Sequence, residues 1–167
     1  MPIKKKGDSL KILILSDSHR SLGYMIEAID QEKPDHVIHL GDHIGDAEEL
    51  SRRYPLLTIL MVRGNCDLGD FGSEEVLTEF RGKRFLACHG HRYDVKNGLL
   101  RLTLAAREKQ VDVALFGHTH QAVCECYDGI WFINPGSCRG TRPSCAIIEL
   151  NGDCISCRIE RFDPRGV

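Results

Sequence analysis

Along this chain, short apolar runs alternate with longer stretches in which apolar residues recur every three or four positions. Residues 11–16 (KILILS), 36–40 (HVIHL), 57–62 (LTILMV), 84–88 (RFLAC) and 111–116 (VDVALF) are too short for buried helices and predict buried strands. Between them, 22–32 carries Met25, Ile26 and Ile29 on one helical face. A second helical stretch, 97–109, repeats Leu99, Leu102 and Ala106, widened by Leu100 and Leu104. A shorter helix is expected over 47–54, with Asp46 as its N-cap. Beyond His120 only strands and turns are expected: 122–127, 130–133, 145–150 and 154–161, with Asp128-Gly129 and Asn151-Gly152 closing two hairpins. The pattern predicts an α/β fold, βαβα units feeding a mixed sheet and then a β-meander. Two stacked sheets flanked by helices would bury all the apolar faces. The first nine and last four or five residues are expected to be loose.

Composition narrows the class. At 167 residues the chain suits one domain with a sizeable core, and 42% hydrophobic with 28% charged residues is a globular balance. A net charge of −2 gives no polyanion-binding surface, so no nucleic-acid partner is expected. No stretch has transmembrane length, so no membrane partner is expected either. The apolar run after Lys4, Lys5 and Lys6 is interrupted by Lys11, unlike a secretory signal. The chain therefore reads as cytoplasmic, with reduced thiols. Of its eight cysteines, Cys154-x-x-Cys157 and Cys124-x-Cys126 have spacings that could suit zinc. Both pairs fall in strand runs, where i and i+3 point to opposite faces, and buried free thiols are expected instead.

The eight histidines lie between residues 19 and 120, most of them just after a strand run. Asp17-Ser18-His19 follows the first, Gly41-Asp42 the second and Gly64-Asn65 the third. His89-Gly90-His91 and Gly117-His118-Thr119-His120 follow the last two. Ligands of open α/β sheets bind at the carboxyl ends of strands, so five polar clusters at such ends imply one shared site. Residues i and i+2 of an extended chain point the same way, which would aim Asp17 with His19, and His118 with His120, inward together. The donors are Asp17, His19, Asp42, Asn65, His89, His118 and His120. A mixed nitrogen and oxygen set of this size exceeds one tetrahedral ion and suits two first-row divalent ions.

In order, DSH, GDH, GNCD, HGH and GHTH resemble the five-part signature of the calcineurin-like metallophosphoesterases. NPGS at 134–137 resembles a sixth element of their small single-domain phosphodiesterase branch. The resemblance implies a four-layer αββα sandwich of two mixed β-sheets flanked by helices, formed as a single domain over 10–162 after a loose segment 1–9. It implies that Asp17, His19, Asp42 and His120 hold one ion, and that Asp42 bridges to a second held with Asn65, His89 and His118. Manganese is the first choice, with nickel, zinc, iron or cobalt as alternatives. The activity implied is hydrolysis of a small phosphate ester, a diester before a monoester, by a hydroxide bridging the two ions. Two divalent ions, two carboxylates and that hydroxide leave a net charge of about +1, a local well for an anionic substrate. A phosphomonoesterase or nucleotide pyrophosphatase on the same site is the alternative. A protein-interaction scaffold similar to the retromer subunit of this fold is another.

Many larger relatives have a histidine after the motif asparagine, whereas this chain has Cys66, a weaker proton donor at neutral pH. Cys66 is expected to be structural, and the proton to come from His43, His91 or water. Cys66, His91 and Arg20 are thus the catalytic candidates beyond the metal ligands, Arg20 as a phosphate contact overhanging the site. Arg139 and Arg142 are weaker candidates for the same contact. Asn134 and Ser137 are expected to shape the loop behind the ions, and His36 and His39 to pack or support. The exposed β-meander could serve a homodimer or higher homo-oligomer.

Overall fold

The computed structural model describes residues 9–69 and 72–162; of the termini expected to be loose, 1–8 and 163–167 lie outside it, whereas Ser9 is part of the first strand. In chain order the elements are β1 (Ser9–Leu15), α1 (Leu22–Glu32), β2 (His36–His39), α2 (Ile44–Arg53), β3 (Thr58–Met61), β4 (Glu75–Phe80) and β5 (Lys83–Cys88). Two single-turn 3-10 helices at His91–Tyr93 and Val95–Asn97 lead into α3 (Leu100–Glu108). There follow β6 (Val113–Leu115), β7 (Val123–Tyr127), β8 (Ile130–Asn134), β9 (Ser144–Asn151) and β10 (Cys154–Arg161).

The strands form two five-stranded sheets, ordered β10-β9-β1-β2-β3 and β4-β5-β6-β8-β7. In the first, β1, β2 and β3 run parallel through the α1 and α2 crossovers, and β9 and β10 add antiparallel. In the second, β5, β6 and β8 are parallel, with β4 and β7 antiparallel at its edges. Strand alternation explains the layering. Ile12, Ile14, Ile38, Phe85, Val113, Leu115 and Ile148 meet between the sheets. On the outer face of the first sheet, Leu13, Leu15, Val37 and Ile147 receive Met25, Ala28, Ile29 and Leu50 of the helices. On the outer face of the second, Leu86, Ala114 and Phe132 receive Leu102 and Ala106 of α3. The result is the expected αββα sandwich. Phe85 is fully buried, which contributes roughly 2–3 kcal/mol, and its edge-on contact with Phe80 at 5.2 Å adds to that.

Four features depart from the pattern-based expectation. Strand β4 went unanticipated because it is a half-buried edge whose turn, Arg81-Gly82, is not an Asn-Gly or Asp-Gly pair. Both turn residues nonetheless take the positive φ of a type I′ hairpin, 49° and 76°. The late strands are not one meander: β7-β8 closes one sheet and β9-β10 the other. Helix α2 starts earlier than expected, at Ile44 after a left-handed His43, so Asp46 lies buried in its first turn rather than capping it. Finally, the cysteines are not all free. Cys124 of β7 and Cys157 of β10 form a disulfide between the two sheets, an encounter across 33 residues that local spacing cannot show. Cys126 and Cys154 are exposed, while Cys88, Cys138 and Cys145 are the buried thiols expected. Among the described residues, no helix is long and apolar enough to cross a membrane.

Candidate metal centre

Five loops meet at the carboxyl ends of β1, β2, β3, β5 and β6, and they bring the polar clusters together. One oxygen or nitrogen each from Asp17, His19, Asp42 and His120 fall within 4.8 Å of one another, as do those of Asp42, His89 and His118. Asp42 belongs to both groups. Asn65 is exposed in the neighbouring loop, with its amide 3.6 Å from the Cys66 sulfur.

The convergence does not come from extended-chain alternation. Asp17 (φ 52°), His19 (42°), Asp42 (57°), His118 (67°) and His120 (59°) all have left-handed backbones, so each loop curls back over its strand end. Such conformations cost non-glycine residues of order 1–3 kcal/mol each and persist where neighbours hold them, as at functional sites. Those neighbours are visible. Asp17 is fully buried. Its Oδ2 accepts from Ser16 Oγ at 2.5 Å and from the His118 N–H at 3.1 Å, and its Oδ1 lies 3.0 Å from His120 Nε2. Asp42 Oδ1 accepts from the Cys66 N–H at 2.9 Å. Two glycines make the approach possible. A Cβ on Gly64 would fall 2.2 Å from Asp42 Oδ1, and one on Gly117 would fall 2.1 Å from Ser16 Oγ.

His89 tests whether the donors suit a cation. Its Nδ1 donates to the Leu40 carbonyl at 2.7 Å, and a carbonyl can only accept. The lone pair of neutral His89 is therefore on Nε2, which is buried, has no hydrogen-bond partner, and faces Asp42 Oδ1 at 3.4 Å and Asp17 Oδ1 at 3.9 Å. A lone pair turned toward two carboxylates needs positive charge between them, which a divalent ion or an added proton supplies. The electrostatics agree. Burial lowers the affinity of His89 for a proton, yet Asp42 and Asp17 outweigh it and the pKa is raised. Burial would raise the Asp42 carboxyl, but the His89 contact and the Cys66 N–H hold it well below the usual range. Burial and the neighbouring His89 lower both His118 and His91.

A supporting layer, largely silent in the sequence, fixes these loops. Asp67 accepts four backbone N–H groups: His43 and Ile44 at Oδ1, Asp42 and Gly64 at Oδ2, all at 2.8–2.9 Å. It thereby ties the Asp42 loop to the Asn65 loop and satisfies the start of α2. Asp46 accepts from Ser18 Oγ at 2.7 Å and from the Arg20 N–H at 2.8 Å. Ser18 Oγ lies 3.0 Å from His39 Nε2, while His39 Nδ1 accepts the Gly41 N–H at 3.2 Å, which fixes the ring as a neutral Nε2 tautomer. Full burial pushes the His39 pKa down to about 4. Only the spacing of GNCD hinted at Asp67, and nothing local marked Asp46 except its position in a helix start.

The secondary candidates separate. Asn134 Nδ2 donates to the Gly117 carbonyl and Thr119 Oγ1, and Ser137 Oγ to the Asp17 carbonyl, so both brace loops. His36 packs on Phe80 with ring centres 5.0 Å apart. Arg139 and Arg142 are exposed on a loop after Ser137. His91 lies 5.5 Å from the His89 ring and 3.7 Å from Glu74, which also pairs with Arg63 and Arg92. Cys66 is exposed, and partial desolvation and the Asp42 carboxylate raise its thiol pKa, which keeps it protonated.

A model of the calcineurin-like phosphoesterase superfamily domain matches residues 10–153. A Bacillus subtilis protein named a probable metallophosphoesterase is 38% identical over 166 residues, covering 94% of this chain and 93% of its own length. A phosphodiesterase of Methanocaldococcus jannaschii is 31% identical over 153 residues, covering 78% and 86%. Among solved structures, a conserved Streptococcus pneumoniae protein described as a predicted phosphoesterase superposes with a TM-score of 0.78 at 27% identity, covering 95% of each chain.

Proposed function

The chain belongs to the calcineurin-like phosphoesterase superfamily, and on that premise we propose that it is a metal-dependent phosphodiesterase acting on small phosphate diesters. The observation that carries this reading is the pair of residue groups sharing Asp42, with the unpartnered His89 Nε2 between carboxylates. Asp17, His19, Asp42 and His120 would hold one ion, and Asp42, Asn65, His89 and His118 the other. Such a pair, manganese by first choice, supplies Lewis acidity to a phosphoryl oxygen and a water acidic enough to attack at neutral pH. The chain's own residues do the rest. Asp67 and Asp46 hold the ligand loops in register before substrate arrives, which limits reorganisation during the reaction. Arg20 brings a guanidinium to the rim, where it can meet a phosphate oxygen. Cys66, its thiol held protonated above neutral pH, is a poor proton donor, so substrates with good leaving groups are favoured.

The test is a hydrolysis screen with bis-aryl and mono-aryl phosphates on metal-stripped protein refilled separately with manganese, nickel, zinc or magnesium. The diester should be cleaved faster with at least one transition metal, and not by the stripped protein. Silence in every arm, with both sites full, would instead favour the scaffold alternative.

A further inference from the structure

A cleft of about 450 Å³ opens beside the metal centre, lined by Arg20, His43, Ile44, Glu48, Cys66 and Leu68 among others. Three of these adjoin proposed ligands in sequence: Arg20 follows His19, His43 follows Asp42, and Cys66 follows Asn65. The volume is in the range of small-molecule sites. A larger groove, about 530 Å³, lies by the loops that precede β2 and β3, at the opposite ends of these strands, and carries none of the centre's residues.

The cleft is built rather than incidental. Arg20 (φ 70°) and His43 (φ 83°) both have strained left-handed backbones. The Arg20 N–H is held by Asp46, its Nε donates to His43 Nε2 at 3.2 Å, and His43 Nδ1 lies 3.0 Å from Asp46 Oδ1. A buried carboxylate thus fixes the backbone of an exposed arginine directly, and the imidazole that accepts from its side chain sits in an ion-pair approach to the same carboxylate. The terminal guanidinium nitrogens of Arg20 have no partner among the described residues. Ile44 and the exposed Leu68 add an apolar wall.

Charge decides what fits. Arg20 is balanced by Glu48, and the Asp67 carboxylate is already taken up by four N–H groups. A near-neutral cleft is a poor second phosphate site, which disfavours polyphosphates. A planar guanidinium that shares a cleft with aliphatic side chains suits a flat π-system, since arginine stacks on aromatic faces. We propose that this cleft receives the organic substituent of the phosphate ester and selects a planar aromatic or heteroaromatic group, held between Arg20 and the Ile44–Leu68 wall. The proposal rests on the phosphoesterase reading, because it takes the phosphate to be bound at the adjoining metal centre.

The test uses binding, so that it does not depend on turnover. Zinc-loaded protein labelled with ¹⁵N is titrated with diphenyl, dibutyl and dimethyl phosphate. Diphenyl phosphate should bind about three- to tenfold more tightly than the other two, and should shift the amides of Gly45, Leu68 and Gly69. Leu68→Ser should remove most of that preference, and Arg20→Gln should do so while also weakening all three esters, because the guanidinium edge meets the phosphate; zinc content, measured by mass spectrometry, should be unchanged in both. Equal affinity for all three esters, no binding, or shifts confined to the other groove would overturn the proposal. Dibutyl binding as tight as diphenyl would overturn its claim of a flat substituent. Selective diphenyl binding by a protein that hydrolyses nothing would count against the phosphodiesterase reading and leave the cleft standing. Hydrolysis without that selectivity would do the reverse.

Discussion

Asp67 offers the sharpest check on how the centre is held together, because its side chain ligates no ion in the proposed scheme. Each carboxylate oxygen takes two N–H groups, Oδ1 from His43 and Ile44 and Oδ2 from Asp42 and Gly64. Hydrogen bonds to a charged acceptor contribute up to about 3 kcal/mol each, but Asp67 is only half-buried and water can replace part of the loss. Discounted to about 1 kcal/mol each, the four give about 4 kcal/mol for Asp67→Ala. Asp67→Asn should not be conservative. Its carbonyl can serve one pair of N–H groups, but its NH₂ then points two donors at the other pair, for a loss of about 2–3 kcal/mol. Urea denaturation of metal-free protein in chelator measures the stability, and metal titration of the folded protein measures the coupling. Metal affinity should fall as well, because Asp42 and the Asn65 loop lose their common anchor. If Asp67→Asn unfolded within about 0.5 kcal/mol of wild type and bound metal as tightly, the anchoring role would be refuted.

Other outcomes follow from the same geometry. Asp42→Asn should weaken both ions, because Asp42 belongs to both groups, whereas His19→Ala should empty one; equal loss of a single ion in both variants would contradict the sharing. Thiol titration of unreduced, unfolded protein should find six reactive cysteines, and eight would rule out the Cys124–Cys157 bond. Reducing that bond, which spans 33 residues, should cost about 3.7 kcal/mol on the chain-entropy model. His39 is held neutral, its pKa lowered to about 4 by burial, so as pH falls below about 6.5 the unfolded chain takes up a proton that the folded one refuses. Stability should therefore drop between pH 6.5 and 4, by up to about 3 kcal/mol from this residue, and then level off. In metal-free protein, His39→Gln should flatten that part of the urea-midpoint profile; an unchanged slope would count against the assignment.

Much of the frame could be read from periodicity, because burial on two faces leaves continuous apolar runs such as 11–16, and one-sided helices such as α1 leave a stripe. What periodicity carries poorly is anything decided by a partner distant in sequence. Strand β4 has only the weak alternation of an edge, and the disulfide depends on two sheet edges meeting. The candidate centre divides along the same line. That polar clusters should gather at strand ends was legible, since strand order and crossover geometry place those ends together. How they gather was not. Alternation along an extended chain would aim Asp17 and His19 alike, but both have positive φ, as do His118 and His120, and the side chains meet because the backbone curls. A left-handed backbone at aspartate or histidine leaves no mark in the sequence as it would at glycine. It is sustained by groups elsewhere: the Gly41 carbonyl accepting the Asp17 N–H, Ser137 Oγ on the Asp17 carbonyl, and Asp46 on the loop that follows. Those partners lie 24, 120 and 26 residues away from the groups they hold. The donors of this centre could therefore be named from local motifs, whereas the strain that aims them is maintained by contacts that exist only once both sheets are in place.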